Sequence, residues 1–190
     1  MIYAVIDIEA TGSKYPADRM LELAIVRHDG RRVLSTWSSL FRPGVPIPPF
    51  VVQLTGITEE MVAEAPLFAE KAREIIYELR NCVIVGHDVS FDYNFLKFEL
   101  NEAGYEFEAH KLCTLKKSRK YLPEQPSYSL GKLAEGLGIK VENRHRALGD
   151  ALATAAVFEL LYPQLEGWEE HLKQNEGVSL EEVARTRKKK

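Results

Sequence analysis

The segment Ile2–Ala10 constrains the fold most, because it is apolar on both of the faces that a β-strand presents. Side chains along a strand point alternately to two faces, so Ile6 and the other even-numbered residues share one face, and Tyr3 and Val5 share the other. Two apolar faces are typical of a strand at the centre of a sheet that is covered on both sides. The segment therefore predicts a central strand.

Further strands and helices follow this strand along the chain. Met20–Val26 is a second apolar run, and Asp29-Gly30 favours a hairpin turn into a third strand over residues 32–41. Short apolar runs then alternate with stretches of helical spacing. They predict strands over 82–86 and 111–114, and helices over 67–79, 90–104 (with Ser90 as N-cap), 130–137 and 147–161. The pattern predicts an α/β protein with a mixed five-stranded sheet flanked by helices.

The length of 190 residues is enough for one domain with a sizeable core, which we expect to occupy residues 1–165. Residues 166–190 are more polar and end in a basic cluster, Arg185, Arg187 and 188–190. Two interpretations of this segment stay open. It is either a peripheral or partly disordered terminus, or an arm that attracts phosphates or docks a polymerase.

The overall charge and the cysteines limit the setting in which the protein works. A net charge of −3 does not by itself indicate a nucleic-acid-binding protein, but it is compatible with an enzyme that binds its substrate through metal ions. Cys82 and Cys113 lack metal-ligand spacing and predict buried thiols in a reducing compartment, hence a cytoplasmic location. We expect neither a signal peptide nor a membrane span, since no charged segment with a long apolar run precedes Asp7.

Two acidic residues close the first strand and point to the same side. The carboxylates of Asp7 and Glu9 lie two positions apart, so they repel each other unless solvent, basic partners or cations compensate them. Hard oxygen ligands with an open coordination sphere suit Mg²⁺ or Mn²⁺. A solvated strand end is the alternative interpretation of this pair.

Two later segments add acids and a histidine at the junctions of strands and helices. Asp92 falls in the first turn of a helix, where it either complements the helix dipole or joins a site at the sheet edge. His145 and Asp150 would lie about 140° apart on one helix. They converge better if His145 precedes the helix and Asp150 lies in its first turns. Together, four carboxylates and a histidine suit the hydrolysis of a phosphodiester.

These residues stand in the order of three known motifs. Asp7-Ile8-Glu9 is followed by Thr11-Gly12, Asp92 follows Gly86-His87, and His145, Ala147 and Asp150 form the third motif. On them, residues 2–162 resemble the DEDDh branch of the DnaQ-like 3′–5′ exonucleases, whose best-known type is the epsilon proofreading exonuclease of the bacterial replicative DNA polymerase. The stretch 54–58 is similar to a further segment of that family.

The resemblance implies an RNase H-like fold with two Mg²⁺ or Mn²⁺ ions. Its metal ligands would be Asp7, Glu9, Asp92 and Asp150. One metal would activate a water and the other would stabilise the leaving 3′ oxygen, with His145 as the general base. The residues expected near the terminal nucleotide are Ala10, Thr11, Gly12, Thr55 and Phe91. Ala10 and Thr55 depart from the usual pattern, which leaves the nucleotide preference open.

The implied function is removal of nucleoside 5′-monophosphates from the 3′ end of single-stranded or mispaired DNA, in proofreading or repair, with a DNA polymerase subunit as a candidate partner. Three alternatives stay open. The same chemistry could act on RNA or oligoribonucleotides, since the motifs do not reveal how a 2′-OH is treated. A non-catalytic nucleic-acid-binding module is the second, although a cage of acids repels phosphates. The third alternative is a structural domain in which the four acids occur by chance. It predicts that their side chains do not lie close together.

Overall fold

The computed structural model describes residues 1–165, so the predicted polar segment 166–190 lies outside the described residues. A single five-stranded sheet has the strand order β3-β2-β1-β4-β5. The strands are β1 (Ile2–Ala10), β2 (Met20–His28), β3 (Val33–Leu40), β4 (Cys82–Gly86) and β5 (Lys111–Cys113). The helices are α1 (Pro49–Thr55), α2 (Glu59–Ala63), α3 (Phe68–Leu79), α4 (Ser90–Glu102), α5 (Thr114–Tyr121), α6 (Leu130–Gly136) and α7 (Ala147–Leu161), followed by a 3-10 turn, Tyr162–Leu165. The predicted mixed sheet flanked by helices is confirmed.

The pairing of β1 decides where a site can form. β1 is antiparallel to β2, with Glu9 opposite Glu22, and parallel to β4, with Val5 opposite Val85. β4 is in turn parallel to β5. The carboxyl ends of β1, β4 and β5 therefore meet at one edge of the sheet, which is where open α/β sheets carry their ligands.

Both faces of β1 are covered, as its two apolar faces predicted. Ala4 and Ile6 pack with residues of α3 and α4 on one side of the sheet. Tyr3 and Val5 pack on the other side against α7, whose buried inner face includes Ala147, Ala151, Ala155 and Phe158. Small alanine side chains let the axis of α7 approach the sheet closely. This approach brings the first turn of α7 to the carboxyl edge.

Three details differ from the sequence expectations. Ser90 is the first helical residue of α4 and not its N-cap, because the chain already turns at Val89, which has α-helical dihedral angles. Cys82 is buried as predicted, but Cys113 is only half-buried because β5 is a short edge strand. The helices α1, α2 and α5 were not predicted. Within residues 1–165, no helix combines the length and the apolar character needed to cross a bilayer.

Candidate active site

Three carboxylates meet at the carboxyl edge of the sheet. Asp7 and Glu9 come from the end of β1, and Asp150 comes from the first turn of α7. One carboxylate oxygen from each of the three lies within 4.8 Å of the others. Residues more than 140 positions apart in sequence thus share one small volume, because α7 folds back over the odd-numbered face of β1.

Asp92 adjoins this cluster from the other side. It lies in the first turn of α4, and its Oδ1 accepts a hydrogen bond of 3.2 Å from the backbone N–H of Ile8, the residue between Asp7 and Glu9. Its side chain is nearly buried, with 6% of its surface exposed. The four predicted ligands are therefore adjacent, although Asp92 is not one of the three whose oxygens fall within a single coordination distance.

The four acids make an environment that disfavours their own charge. Burial raises the pKa of Asp7 well above its usual value, and the charges of Asp92 and Asp150 raise it further. Burial also raises the pKa of Glu9 to about 7, again with Asp150 contributing, and it raises the pKa values of Asp92 and Asp150. A divalent cation relieves the repulsion between neighbouring, partly buried carboxylates of this kind. An all-oxygen donor set suits Mg²⁺ or Mn²⁺.

We expect the metal-free protein to lose stability as the pH rises from 4.5 to about 7. The pKa of Glu9 is raised in the folded state, so over this range the folded chain binds more protons than the unfolded chain. The free energy of unfolding therefore falls as the pH rises, and the penalty is complete above the folded pKa. Carboxylates bind Mg²⁺ in their ionised form, so Mg²⁺ should raise the melting temperature strongly near pH 8 and weakly near pH 5.

Thermal unfolding in EDTA and in MgCl2 at both pH values checks this expectation. Glu9→Gln removes one titrating group, so its melting temperature in EDTA should depend less on pH than that of the parent. An equal stabilisation by Mg²⁺ at both pH values would contradict the assignment of the cluster as a cation site.

His145 precedes α7 and is held in the left-handed region of backbone conformation, with φ of 60°. Its backbone N–H donates a hydrogen bond of 2.9 Å to Oδ2 of Asp150. This bond, together with the nearby Arg144 guanidinium, opposes the effect of burial on the pKa of Asp150. His145 thus lies on the loop and Asp150 in the first turn of the helix, which is the arrangement that their spacing favoured.

A supporting ion pair at the start of α7 was missed by the sequence reasoning. The guanidinium of Arg146 donates to both carboxylate oxygens of Glu22, at 3.0 and 2.7 Å, and the backbone N–H of Ala147 donates to the same carboxylate at 2.9 Å. Glu22 lies opposite Glu9 on β2 and is buried. It ties the start of α7 to the sheet and so positions Asp150. A single acid inside the apolar run Met20–Val26 was the available signal.

Of the residues expected near the terminal nucleotide, Ala10, Thr11 and Gly12 directly follow Glu9, and Phe91 directly precedes Asp92. Thr55 lies in α1, and its proximity to the carboxylates stays a prediction. Phe91 is 42% exposed beside Asp92. The hydroxyl of Thr11 accepts the backbone N–H of Arg19 at 3.0 Å, and that of Thr55 donates to the Val51 carbonyl at 2.9 Å. Ala10 and Gly12 flank Thr11, and Gly12 packs so closely on Asp18 that any Cβ would clash. The two threonine hydroxyls are thus engaged in holding their own turns.

Comparison with known proteins identifies the family. The family model described as exonuclease, RNase_T, matches residues 4–158. The chain belongs to this exonuclease family. It is also 35% identical over 165 residues to the 3′-5′ exonuclease DinG of Staphylococcus aureus, which covers 86% of this chain. The chain spans only 18% of the length of that relative.

Solved structures show the fold of this exonuclease family member. Escherichia coli Exonuclease I, in complex with a dT13 oligonucleotide, has a TM-score of 0.77 at 21% identity and covers 90% of this chain and 43% of its own. Exonuclease X, in complex with 5′ overhanging duplex DNA, has a TM-score of 0.69 at 27% identity. This match covers 96% of the present chain and 97% of the Exonuclease X chain. The implied RNase H-like fold is confirmed. The assignment to the epsilon-type branch stays a prediction.

Proposed function

We propose that the protein is a metal-dependent 3′–5′ exonuclease that releases nucleoside 5′-monophosphates from single-stranded or mispaired DNA. One observation carries this proposal: the carboxylate oxygens of Asp7, Glu9 and Asp150 lie within 4.8 Å of one another, in a chain of the exonuclease family. A domain in which these acids are coincidental has no reason to bring them together, because their mutual repulsion is costly.

The proposed cofactors are two Mg²⁺ or Mn²⁺ ions, held by Asp7, Glu9, Asp92 and Asp150. When bound, such ions supply charge stabilisation for the phosphoryl group, the attacking water and the leaving oxygen. The all-carboxylate donor set and the raised pKa values of the acids support this choice. Without the ions, the same acids would repel the phosphates of the substrate.

The chain's own residues perform the proton transfer and the positioning. His145 would accept a proton from the attacking water as the oxygen of that water bonds to phosphorus. The bond between phosphorus and the 3′ oxygen of the penultimate nucleotide then breaks, and this oxygen is protonated from solvent. The hydrogen bond from the backbone N–H of His145 to Asp150 holds the backbone of residue 145 next to the cluster. Phe91 would pack on the terminal nucleotide.

DNA is the proposed substrate class, supported by the likeness to Exonuclease X, whose solved complex contains DNA. The activity would belong to residues 1–165, and the biological role would be proofreading or repair, with a polymerase subunit as partner in the epsilon-type case. The resemblance of the three motifs supports that role. Two free cysteines support a reducing, cytoplasmic setting.

Digestion of oligonucleotides tests the function. A DNA primer with a mispaired 3′ end should be shortened one nucleotide at a time with Mg²⁺ and stay intact in EDTA. A matched RNA oligomer should be digested more slowly, and faster digestion of RNA would transfer the assignment to the oligoribonuclease alternative. Binding of both oligomers without hydrolysis of either, in Mg²⁺ and in Mn²⁺, would leave only the non-catalytic binding module.

A further inference from the structure

The helix α5 carries a concentration of positive charge that the catalytic cluster does not use. Five basic residues fall within positions 111–120, and no acid lies between Glu108 and Glu124, in a chain whose net charge is −3. The five are Lys111, Lys116, Lys117, Arg119 and Lys120. Within the described part of the chain, no ion pair joins Lys116 or Arg119 to an acid.

The geometry of α5 collects these charges on its outer face. Thr114 and Ser118 are fully buried, and α5 packs against α7 on this side. At about 100° per residue, Lys116, Arg119 and Lys120 fall within an arc of about 100° on the opposite side. All three are exposed. The helix therefore presents one purely basic face to solvent.

Helix stability does not account for this pattern. Arg119 and Lys120 lie in the last turn, where positive charge complements the helix dipole. Lys116 lies in the first turn, where the dipole disfavours it, and it stands four positions from Lys120, at like-charge spacing. Like charges at this spacing repel each other and destabilise a helix. The basic face thus carries a small cost in stability.

The start of α5 is fixed to the same sheet edge as the carboxylates. Thr114 directly follows β5, and its hydroxyl donates to the carbonyl of Gly86 at 3.2 Å and lies 3.0 Å from Nδ1 of His87. Gly86 ends β4, and His87 begins the turn that leads to Asp92. In the register of the sheet Thr114 is level with Asp7, two strands away. Neighbouring strands lie about 4.8 Å apart, so α5 begins about 10 Å from Asp7.

We propose that the exposed basic face of α5 binds the phosphates of the strand under digestion, upstream of its 3′ end. This inference rests on the proposed function. A strand in helical geometry advances about 3.4 Å per phosphate, so roughly the third and following phosphates reach α5 when the terminal one lies at the carboxylates. The helix is about 12 Å long and covers about three to four of them. An anionic membrane fits less well, because the buried side of α5 cannot insert into lipid.

The test compares two variants that each lose two positive charges. Lys116→Gln/Arg119→Gln removes charge from the basic face, and Arg31→Gln/Arg73→Gln removes it from the β2–β3 turn and from α3. Fluorescence anisotropy in EDTA measures the affinity for a single-stranded deoxyoligonucleotide of about ten nucleotides across a salt series. The slope of log affinity against log salt should become shallower by about 1.4 in the α5 variant and stay unchanged in the control.

Hydrolysis of the p-nitrophenyl ester of thymidine 5′-monophosphate with Mg²⁺ separates this proposal from the catalytic one. This substrate has no upstream phosphates, so the parent and both variants should hydrolyse it equally, while the α5 variant digests the long oligonucleotide with a raised KM. An unchanged salt slope in the α5 variant overturns the proposal and leaves the exonuclease assignment intact. If the parent hydrolyses neither substrate, the proposed function is wrong, and the anisotropy still decides whether α5 binds phosphates.

Discussion

Asp7→Ala should lower the exonuclease rate by at least roughly 10³-fold while leaving the domain folded. Asp7 is the most central of the acids, because the charges of Asp92, Asp150 and Glu9 all act on it. In the proposed mechanism, its loss removes a cation ligand and so several kcal/mol of stabilisation of the leaving oxygen. It also relieves the repulsion among the remaining carboxylates. The melting temperature in metal-free buffer should therefore be no lower than that of the parent.

The rate of this variant should fall, whereas its melting temperature should not. This difference distinguishes the loss of a ligand from the loss of the fold. Glu106→Gln is the matched control, because Glu106 is exposed and its substitution also removes one negative charge. It should change neither the rate nor the melting temperature in EDTA. Substantial residual activity in Asp7→Ala would contradict the site assignment, and a lower melting temperature without metal would show that Asp7 supports the fold.

The elements that carry the acids could be predicted because their local signals and their tertiary surroundings agree. β1 is apolar on both faces, and its bounds, Ile2–Ala10, match the expectation. β4 and α7 are likewise bounded by glycine, proline or polar residues that end a regular pattern. The loop position of His145 was favoured by helix geometry, since two residues five positions apart on one helix point about 140° away from each other.

The parts that could not be predicted depend on contacts between distant segments. α1, α2 and α5 are short, with seven, five and eight residues. The helix α6 also has seven residues, but it could be predicted because Leu130, Leu133 and Leu137 repeat at helical spacing. The pairing of Glu22 with Arg146 joins β2 to the start of α7 and has no signal in the local spacing. The hydrogen bonds of the Thr11 and Thr55 hydroxyls to the backbone likewise depend on the local backbone geometry, which the identity of these residues does not specify.

His145→Ala should slow hydrolysis by about 10²–10⁴-fold near neutral pH and by less at high pH. A general base accepts the proton of the attacking water, and hydroxide, which needs no base, can partly replace it as the pH rises. The tether to Asp150 comes from the backbone N–H of His145, so it survives the loss of the imidazole. The rate of digestion of a single-stranded oligonucleotide across the pH range, with saturating Mg²⁺, checks this expectation.

His145→Asn controls for the backbone in this experiment. The φ of 60° at position 145 strains most side chains, whereas asparagine adopts the left-handed region more readily. His145→Asn should therefore match the parent in melting temperature and match His145→Ala in its pH-dependent loss of rate. A loss of hydrolysis rate that is the same at every pH in both variants would make His145 a positioning residue. A deficit in His145→Ala alone would assign the effect to the backbone of the loop that precedes α7.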